Sequence, residues 1–334
     1  MHVVAPIRVA GLGVYEPREQ LASDALDPRY GHEAGWTRMQ FGLTSRHLAA
    51  PDETASMMGA AAARNALAAA GWADGDFDVL IGASGVMEQP IPGTSVLIQH
   101  ALGLGRSGIL AFDVNQTCLS FLMAMDIAAM GFATGRWRRA LIVSSDIASA
   151  GLNWRDPVAS AIFGDGAAAA CLEATDDPTG PALLARGLET YGEGRDLATL
   201  RAGGSRVRLD DGLEAFQAAA TFQMDAFGIF KAAAKRLPPL IDRVLAEAGL
   251  DRAGVDLIVP HQASHPGLEH LRRLMGGNPS RVVDIFDDHG NQIAASIPTA
   301  LHRAWADGRL TPGATVLLLG TAAGISLSAM VLRV

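Results

Sequence analysis

The sequence predicts an α/β protein in which helices and sheets stack in layers. Short apolar runs typical of buried strands alternate with longer segments of helical periodicity along most of the 334 residues. The composition fits such packing, because 49% of the residues are hydrophobic and only 6% are aromatic. The two halves, residues 1–174 and 175–334, have a similar order of elements, which indicates a duplicated βαβαβ unit. A segment rich in Pro, Gly and Asp at 175–180 predicts the boundary between them.

In the first half, apolar runs predict strands and the periodic segments between them predict helices. The predicted strands cover residues 7–13, 79–84, 109–114 and 140–145. The predicted helices cover residues 54–71 and 94–102, and a third helix begins at Cys118. A glycine turn at 163–166 leads into an apolar run that ends near Cys171. This alternation favours parallel-rich sheets with helices on their faces.

The second half repeats the alternation after a polar, Gly-rich stretch at 182–214, which predicts an irregular surface segment. The predicted helices cover residues 216–249, divided by Pro238 and Pro239, and residues 266–275 and 293–305. The predicted strands cover residues 257–260, 282–286, 316–319 and 326–331. Residues 313–332 carry no charge, but a turn at 320–324 divides them, so they predict two buried strands rather than a membrane span.

Charge and cysteine usage exclude several classes of function. The net charge is −8 and no basic stripe is present, which argues against a nucleic-acid partner. The two cysteines lie 53 residues apart, so they form no metal-type pair, and a reduced, cytoplasmic protein is expected. The first residues lack the charged start and apolar run of a signal peptide. We therefore expect no metal and no membrane association.

Cys118 is the first candidate catalytic residue. A strand-like run leads through three polar residues into Cys118, and a helical pattern follows at once. Unpaired N–H groups and the positive end of the helix dipole meet at such a junction, and both favour the reactive thiolate. The same N–H groups could hold the oxyanion of an acylated cysteine. A small buried hydrophobic residue is the alternative, and this stretch alone leaves both possibilities open.

Three further strand ends carry His261, Asn291 and the turn at 320–324. Sites in α/β proteins gather at such strand ends. A thiolate can accept an acyl group, and an imidazole N–H together with an amide N–H can hold an enolate oxygen. A core or capping histidine and a turn asparagine are the structural alternatives for these two residues.

Five segments, in this order, carry a resemblance to a known family. They are 36–47 ending in Arg46-His47, 111–118 (AFDVNQTC), 162–166 (IFGDG), 259–263 (VPHQA) and 289–298 (HGNQIAASIP). The chain resembles the 3-oxoacyl-(acyl-carrier-protein) synthase III family of thiolase-like condensing enzymes nearly end to end. The resemblance implies a thiolase-like fold and an acyltransferase that condenses an acyl group with a malonyl thioester, with decarboxylation, to a 3-oxoacyl thioester.

The resemblance also implies roles for individual residues. Cys118 resembles the acyl-accepting nucleophile, and His261 and Asn291 resemble the pair that stabilises the carbanion formed on decarboxylation. The backbone N–H groups of Cys118 and Ala323 resemble the acyl oxyanion hole. His289 and Asp165 are assigned to structure, since turn chemistry explains them. The implied substrates are acyl-CoA and malonyl-CoA or malonyl-(acyl carrier protein), with no resident cofactor.

The substrate-binding residues are likewise implied by the resemblance. Members of the family are homodimers in which a partner residue closes the acyl tunnel, and Ile91 resembles that residue. Isoleucine leaves more room than the phenylalanine of short-chain members, which predicts a medium-chain primer, although Ile91 packing at a subunit interface is the alternative. Trp36 resembles a residue that stacks on the adenine of coenzyme A. The other implied residues are Met87, Leu119 and Phe227 for the acyl chain, and Lys231, Arg272 and Arg273 for carrier docking, where ordinary solvated charges are the alternative.

The sequence departs from the family pattern at both catalytic turns and at the entrance. Leu119-Ser120 follows the cysteine where a small residue and glycine are usual, and Ala322-Ala323-Gly324 replaces a run of glycines. Entrance arginines of the family are replaced by Gln40, Pro157 and Pro266. Two other functions therefore stay open. One is a non-decarboxylative condensation or acyl transfer to an alcohol or amine, and the other is a silent subunit of a heteromeric synthase.

Overall fold

The computed structural model describes residues 4–177 and 179–334, which fold into strands and helices in alternation. The strands are β1 (Ile7–Tyr15), β2 (Glu19–Ala22), β3 (Ser45–Leu48), β4 (Val79–Gly82), β5 (Leu110–Asp113), β6 (Arg139–Asp146), β7 (Gly166–Ala174), β8 (Ala182–Thr190), β9 (Ala198–Thr199), β10 (Gln223–Met224), β11 (Leu257–Pro260), β12 (Thr315–Ala322) and β13 (Ser326–Arg333). The helices are α1 (Trp36–Phe41), α2 (Ala55–Ala70), α3 (Thr94–Ala101), α4 (Ser120–Ala133), α5 (Pro157–Ser160), α6 (Leu213–Ala219), α7 (Ala226–Glu247), α8 (His265–Leu274), α9 (Phe286–His289) and α10 (Ser296–Ala306).

Two large mixed sheets have the same internal pattern. The first has the order β1-β7-β6-β4-β5, and the second has the order β8-β13-β12-β11. Taken in these orders, the first two pairings of each sheet are antiparallel and the third is parallel. The duplicated α/β architecture is therefore confirmed, but the sheets are mixed rather than parallel-rich. The boundary at residue 175 stays a prediction, and Pro178 of the predicted joint lies outside the described residues.

Helices α4 and α10 form the middle layer between the two sheets. Their buried side chains belong to one hydrophobic core that also includes residues of both sheets. Helices α2 and α3 cover the outer face of the first sheet, and α7 and α8 cover the outer face of the second. Each fully buried Leu or Phe of the middle layer, such as Phe121 and Leu301, contributes about 2 kcal/mol relative to an exposed side chain. This layer fixes the position of Cys118 at the start of α4.

Helix α2 illustrates how the sequence specifies these layers. The Thr54 side chain accepts a hydrogen bond from the Met57 N–H at 3.2 Å, and Gly71 ends the helix with φ of 67°. The helix packs closely on β1 because that strand carries glycine. A Cβ on Gly13 would lie 2.3 Å from the Ala66 nitrogen, so only glycine allows this approach.

Two predicted segments differ from the structure. Residues 182–190 form strand β8 instead of a surface excursion, since Gly187 lets Leu240 and Val244 of α7 pack against the strand. The predicted helix at 216–249 is interrupted at β10, where Asp225 caps α7, and not at Pro238 and Pro239. Burial of the side chains that follow the prolines holds α7 continuous through them.

The predicted strand at 282–286 is also wrong. Val282 makes only an isolated bridge to Ile258. The Gln262 side chain takes the place of a strand neighbour, because it accepts the Ile285 N–H at 3.0 Å and donates to the Val283 carbonyl at 3.2 Å. The uncharged segment 313–332 forms β12 and β13 as predicted, and none of the described helices is long and apolar enough to cross a membrane.

Candidate active site

A cavity of about 930 Å³ receives residues from both halves of the chain. Cys118, His261 and Asn291 line it, together with Ala323 of the turn between β12 and β13. Cys118 lies in a single helical turn before α4, His261 directly follows β11, and Asn291 follows α9. The structure therefore brings the three strand-end residues of the sequence analysis to one cavity.

The backbone around Cys118 is held in an unusual conformation. Thr117 has φ of 50°, a left-handed value that is rare for a β-branched residue. The Ser120 hydroxyl accepts the Gln116 N–H at 2.9 Å and donates to the Thr117 carbonyl at 2.7 Å. Ser120, where the family usually has glycine, thus closes the turn that presents Cys118 at the start of α4.

The ionisation of Cys118 differs from the expectation of a low-pKa thiolate. The residue is partly accessible from the cavity, but protein surrounds the thiol. This burial, and next the carboxylate of Asp146, raise the pKa of Cys118 to about 12. The backbone N–H of Cys118 itself lowers the pKa of the thiol, but too little to compensate. With this pKa, about one thiol in 10⁵ is ionised at pH 7, so deprotonation requires a base.

His261 can supply that base. Burial lowers the pKa of His261 to about 4, so the imidazole is neutral at pH 7. Its Nδ1 has no hydrogen-bond partner in the described part of the chain. Gly320 separates the histidine from the residue after the nucleophile, since a Cβ there would lie 2.7 Å from the His261 Cβ and 3.1 Å from the Leu119 Cδ2. Only glycine allows this spacing.

The Asn291 amide is oriented by its neighbours. Its Oδ1 accepts the Ile293 N–H at 2.9 Å, and its Nδ2 lies 3.5 Å from the carbonyl oxygen of Ala263, two residues after His261. The Asn291 backbone N–H donates to the Ile162 carbonyl at 2.7 Å in a bridge to the turn at 161–165. With Oδ1 occupied, the amide offers N–H groups to a ligand.

The turn at 161–165 is anchored by two side chains. Arg46 is fully buried and donates to the carbonyl oxygen of Ala161, and burial lowers its pKa to about 10. Asp165 accepts the Ala49 and Ser149 N–H groups, both at 2.9 Å. These contacts agree with a structural assignment for Asp165 and link the loop before α2 to the bridge at Asn291.

His289 joins the two halves of the chain next to Asn291. Its Nδ1 contacts the Asp288 carboxylate at 2.5 Å, and its Nε2 contacts the Glu16 carboxylate at 3.2 Å. Burial opposes the charge, but these two carboxylates raise the pKa of His289 to about 9. A charged His289 therefore links Glu16, which directly follows β1, to Asp288 of α9. This contact agrees with the structural role assigned to His289.

Asp146 is a buried residue whose charge acts on Cys118, and the sequence analysis missed it. It is completely buried at the end of β6, and its Oδ1 accepts the Gly85 and Val86 N–H groups at 2.8 and 2.7 Å. Burial raises the pKa of Asp146 to about 7, while the N–H groups of residues 85, 86, 294 and 295 oppose the rise. An aspartate that directly follows the predicted strand at 140–145 was the signal in the sequence.

The residues implied for the acyl chain are dispersed. Met87 lines the cavity. Leu119 is fully buried below it in the middle layer. Ile91 and Phe227 do not line the cavity of their own chain, and they are 86% and 75% exposed. Trp36 is half-buried outside the cavity, and one face of its indole already stacks on His32 at 3.8 Å between ring centroids.

The residues implied for carrier docking differ in their availability. Lys231 on α7 and Arg273 on α8 are exposed. Arg272 instead makes ion pairs with Glu269 and Asp284, and its side chain is only 18% exposed. Arg272 is therefore committed to local contacts that hold α8, because its guanidinium already has two carboxylate partners.

The sequence matches the family 3-oxoacyl-[acyl-carrier-protein (ACP)] synthase III over residues 112–192 and the C-terminal part of the same family over residues 245–334. It is 33% identical over 326 residues to beta-ketoacyl-[acyl-carrier-protein] synthase III of Methylococcus capsulatus, and 32% identical over 326 residues to that of Neisseria meningitidis serogroup C. Each comparison covers 98% of both chains. The fold is similar to the crystal structure of the Pseudomonas aeruginosa synthase III, with a TM-score of 0.88, 31% identity and 98% of each chain covered.

Proposed function

The chain belongs to the 3-oxoacyl-(acyl-carrier-protein) synthase III family and is a condensing acyltransferase, and from this premise we propose how its residues divide the reaction. Cys118 carries the acyl group between two half-reactions. His261 and Asn291 serve the malonyl thioester. The backbone N–H groups of Cys118 and Ala323 serve the acyl oxyanion. The observation that supports this division is the common cavity that Cys118, His261 and Asn291 line.

In the first half-reaction, the neutral imidazole of His261 takes the proton of the Cys118 thiol as the sulfur attacks the acyl thioester. The tetrahedral oxyanion accepts hydrogen bonds from the N–H groups of Cys118 and Ala323. Collapse breaks the bond to the carrier thiol, which leaves with the proton held by His261. The burial that lowers the pKa of His261 to about 4 leaves its ring unprotonated at pH 7, so a ring nitrogen is available to accept the proton.

In the second half-reaction, a malonyl thioester loses carbon dioxide and its electron pair forms an enolate. The enolate oxygen accepts hydrogen bonds from His261 and from the Asn291 amide, whose orientation the Ile293 N–H fixes. The enolate carbon attacks the acyl group on Cys118. The sulfur leaves as a thiolate that takes a proton from solvent, and the 3-oxoacyl thioester is released.

The test combines an acyl thioester with a malonyl thioester and measures both half-reactions. Intact-protein mass reports the acyl group on Cys118, and carbon dioxide release reports the condensation. Cys118→Ala removes both signals, whereas Cys171→Ala, whose thiol is buried in β7, keeps them. Acyl transfer to an alcohol or amine without carbon dioxide identifies the acyltransferase alternative. Absence of acylation identifies a silent subunit.

We further propose that the chain acts as a homodimer. Strand β5 is an edge of the first sheet, and its Leu110 is 41% exposed. Exposed apolar side chains of Val96 and Ile91 belong to the neighbouring helix α3 and the loop before it. An open apolar edge of this kind favours association with another strand. Analytical ultracentrifugation tests the dimer, and Leu110→Lys is expected to shift the protein towards the monomer.

We also propose an acyl carrier protein or coenzyme A as the carrier of the malonyl group. The relatives are named for acyl carrier protein. The exposed Lys231 and Arg273 lie on α7 and α8, two helices that also contribute side chains to the cavity. Carrier proteins with an acidic surface are expected to lose affinity when both residues are replaced by Gln. Equal affinity of the variant would assign these two charges to ordinary solvation.

A further inference from the structure

Helices α7 and α8 extend the cavity away from the catalytic residues as a groove. On α7, the residues that line the cavity recur at steps of three and four from Ala226 to Pro238, which makes one stripe about 18 Å long. On α8, they recur in the same way from Gly267 to Leu274, over about 10 Å. Both stripes face the same cavity, so the space between them is a single groove, which we call the α7–α8 groove.

The α7–α8 groove is apolar. Among the described residues that line it, none is charged and only His270 has a polar side chain. The His270 ring meets the Phe230 ring edge-on with 5.5 Å between centroids, which joins the two helices across the groove. Ala233 and Ala234 of α7 and Gly267 of α8 fill little of the space between the helices. The groove therefore suits a hydrocarbon group, because a polar ligand would lose its hydrogen bonds to water there.

The far end of the groove meets the core of the second sheet. Leu237 and Leu274, the last leucines of the two stripes, pack against the hydrophobic cluster that this sheet forms with its outer helices. A group that extends along the groove to these leucines therefore ends inside the protein. It is a terminal chain and not an arm that continues to a carrier in solvent.

The near end of the groove adjoins the residues that serve the malonyl thioester. His261 precedes the first residue of α8 by four positions, and Ala263 and Ser264 between them also line the cavity. The Asn291 Nδ2 lies 3.5 Å from the Ala263 carbonyl oxygen. A malonyl group held by His261 and Asn291 is therefore next to the start of α8, where the groove begins.

The parts of the two substrates can be matched to the directions that the cavity offers. The acyl chain on Cys118 has its own direction, towards the cavity-lining loop 85–90 that precedes Ile91. The carrier arm of the malonyl thioester contains amides that need hydrogen-bond partners, and the cavity wall at 199–206 supplies Thr199 and two arginines. The apolar groove is left for an apolar group on the malonyl carbon itself.

We propose that the α7–α8 groove binds an alkyl substituent on C2 of the extender, so that the protein condenses 2-alkylmalonyl thioesters to 2-alkyl-3-oxoacyl thioesters. The proposal rests on the proposed function for the condensation itself. The bond from C2 to the carboxylate breaks, carbon dioxide leaves, and the electron pair forms the enolate. C2 then bonds to the acyl carbon as the bond from that carbon to the Cys118 sulfur breaks. The thiolate takes a proton from solvent, and C2 keeps its alkyl group and its one hydrogen.

The test compares the pantetheine thioesters of malonate and 2-hexylmalonate as extenders, with octanoyl-pantetheine at saturating concentration as primer. Carbon dioxide release gives kcat/KM for each extender, and mass spectrometry identifies a 3-oxodecanoyl or a 2-hexyl-3-oxodecanoyl product. Ala234→Phe and the smaller change Ala233→Leu fill the groove. Ala232→Phe is the matched control, because Ala232 lies on the same helix and does not line the cavity.

The unaltered protein is expected to form the 2-hexyl product and to have a KM about tenfold lower for the hexylmalonyl thioester, because its methylenes are buried in the groove. The ratio of kcat/KM for hexylmalonyl to that for malonyl is expected to fall about tenfold in Ala234→Phe, and in the same direction in Ala233→Leu. Ala232→Phe is expected to keep the ratio of the unaltered protein.

A protein that condenses malonyl but forms no 2-hexyl product overturns the proposal. Equal losses with both extenders in the two filled variants would assign the groove to the carrier arm, and slower loading of octanoyl with an unchanged ratio would assign it to the primer. Either result also overturns the proposal. Because malonyl is measured in the same assay, failure of this site is distinguishable from failure of the proposed function, in which neither extender releases carbon dioxide.

Discussion

The buried carboxylate of Asp146 is expected to make the stability of the protein fall as pH rises. Its ordinary pKa of 3.8 applies in the unfolded chain, and burial raises the pKa to about 7 in the folded protein. Between these two pH values the unfolded chain loses the proton while the folded protein keeps it, so a rise in pH stabilises the unfolded state relative to the folded state. The contribution of the Asp146 proton to the free energy of unfolding is complete below pH 4 and is lost as pH rises to 7. It amounts to about 4 kcal/mol over that window.

Asp146→Asn removes the titration and keeps an oxygen for the Gly85 and Val86 N–H groups. The substitution costs about 1–3 kcal/mol at every pH, because an amide N–H₂ replaces an acceptor oxygen. The free energy of unfolding of the variant minus that of the unaltered protein is therefore expected to rise by up to about 4 kcal/mol between pH 4 and pH 8. Loss of the negative charge is also expected to lower the pKa of Cys118 and to speed its alkylation.

Urea unfolding at constant protein concentration, in steps from pH 4.5 to pH 8, measures this gain. Asp307→Asn, at an exposed aspartate that ends α10, is the control and is expected to leave the pH dependence unchanged. A difference between Asp146→Asn and the unaltered protein that is flat across this range, or that has the opposite slope, would refute the reasoning. Such a result would mean that the four surrounding N–H groups keep the carboxylate ionised.

Three further predictions concern the cavity. Cys118 in the free protein is expected to react with iodoacetamide about 10³-fold more slowly at pH 7 than an unperturbed thiol, and its rate is expected to rise tenfold per pH unit. Mass spectrometry of the labelled peptide measures the rate, and a rate equal to that of glutathione would contradict the prediction. Asn291→Ala is expected to lower carbon dioxide release about 10²- to 10³-fold while acylation of Cys118 continues; equal losses in both half-reactions would remove the distinction between the two oxyanion sites. Ile91→Phe is expected to slow loading of octanoyl about tenfold or more while acetyl is spared, since each buried methylene contributes about 0.8 kcal/mol. If the unaltered protein loads acetyl as fast as octanoyl at equal concentration, the medium-chain primer predicted from Ile91 is wrong.

The sequence indicated the three candidate residues that line the cavity because each follows an apolar run. Cys118 and His261 follow β5 and β11, each of which pairs in parallel with its neighbour, and such strand ends are where sites are expected. Asn291 instead follows α9, so its place at the cavity does not follow from the strand-end argument. Asp146 follows such a run as well, but its significance depends on N–H groups from residues 85–86 and 294–295. Those contacts join segments about 60 and 150 residues distant in the chain, and local periodicity carries no information about them.

Errors in the predicted fold have a similar cause. Strand β8 contains Gly187 and polar residues that suggested a loop, and only its pairing with β13 makes it a strand. Conversely, residues 282–286 have a strand-like pattern, but the Gln262 side chain bonds to the Ile285 N–H and to the Val283 carbonyl, which a neighbouring strand would otherwise use. The low pKa that the sequence predicts for Cys118 is opposed by its surroundings in the fold. The helix start favours ionisation of Cys118, but burial and the Asp146 carboxylate oppose it more strongly.

Backbone strain concentrates at the two turns that present Cys118 and Asn291. In the described residues, only Thr117 and Ile293 have positive φ without being glycine, with values of 50° and 53°. Both are β-branched, and each such conformation costs about 1–3 kcal/mol. Gly85 lies between them, since a Cβ there would be 2.5 Å from the Ile293 side chain and 3.2 Å from the Thr117 carbonyl carbon.

This arrangement explains why the departures from the family pattern are compatible with an intact site. Ala322 and Ala323 have no left-handed backbone conformation, and in that turn only Gly324 does, with φ of 133°. The N–H group of Ala323 can therefore be presented without glycine. The glycines that the site requires are instead Gly85, between the two strained turns, and Gly320, between Leu119 and His261. Close approach of the segments that carry Cys118, His261 and Asn291, rather than flexibility of the turn at 320–324, accounts for these two glycines.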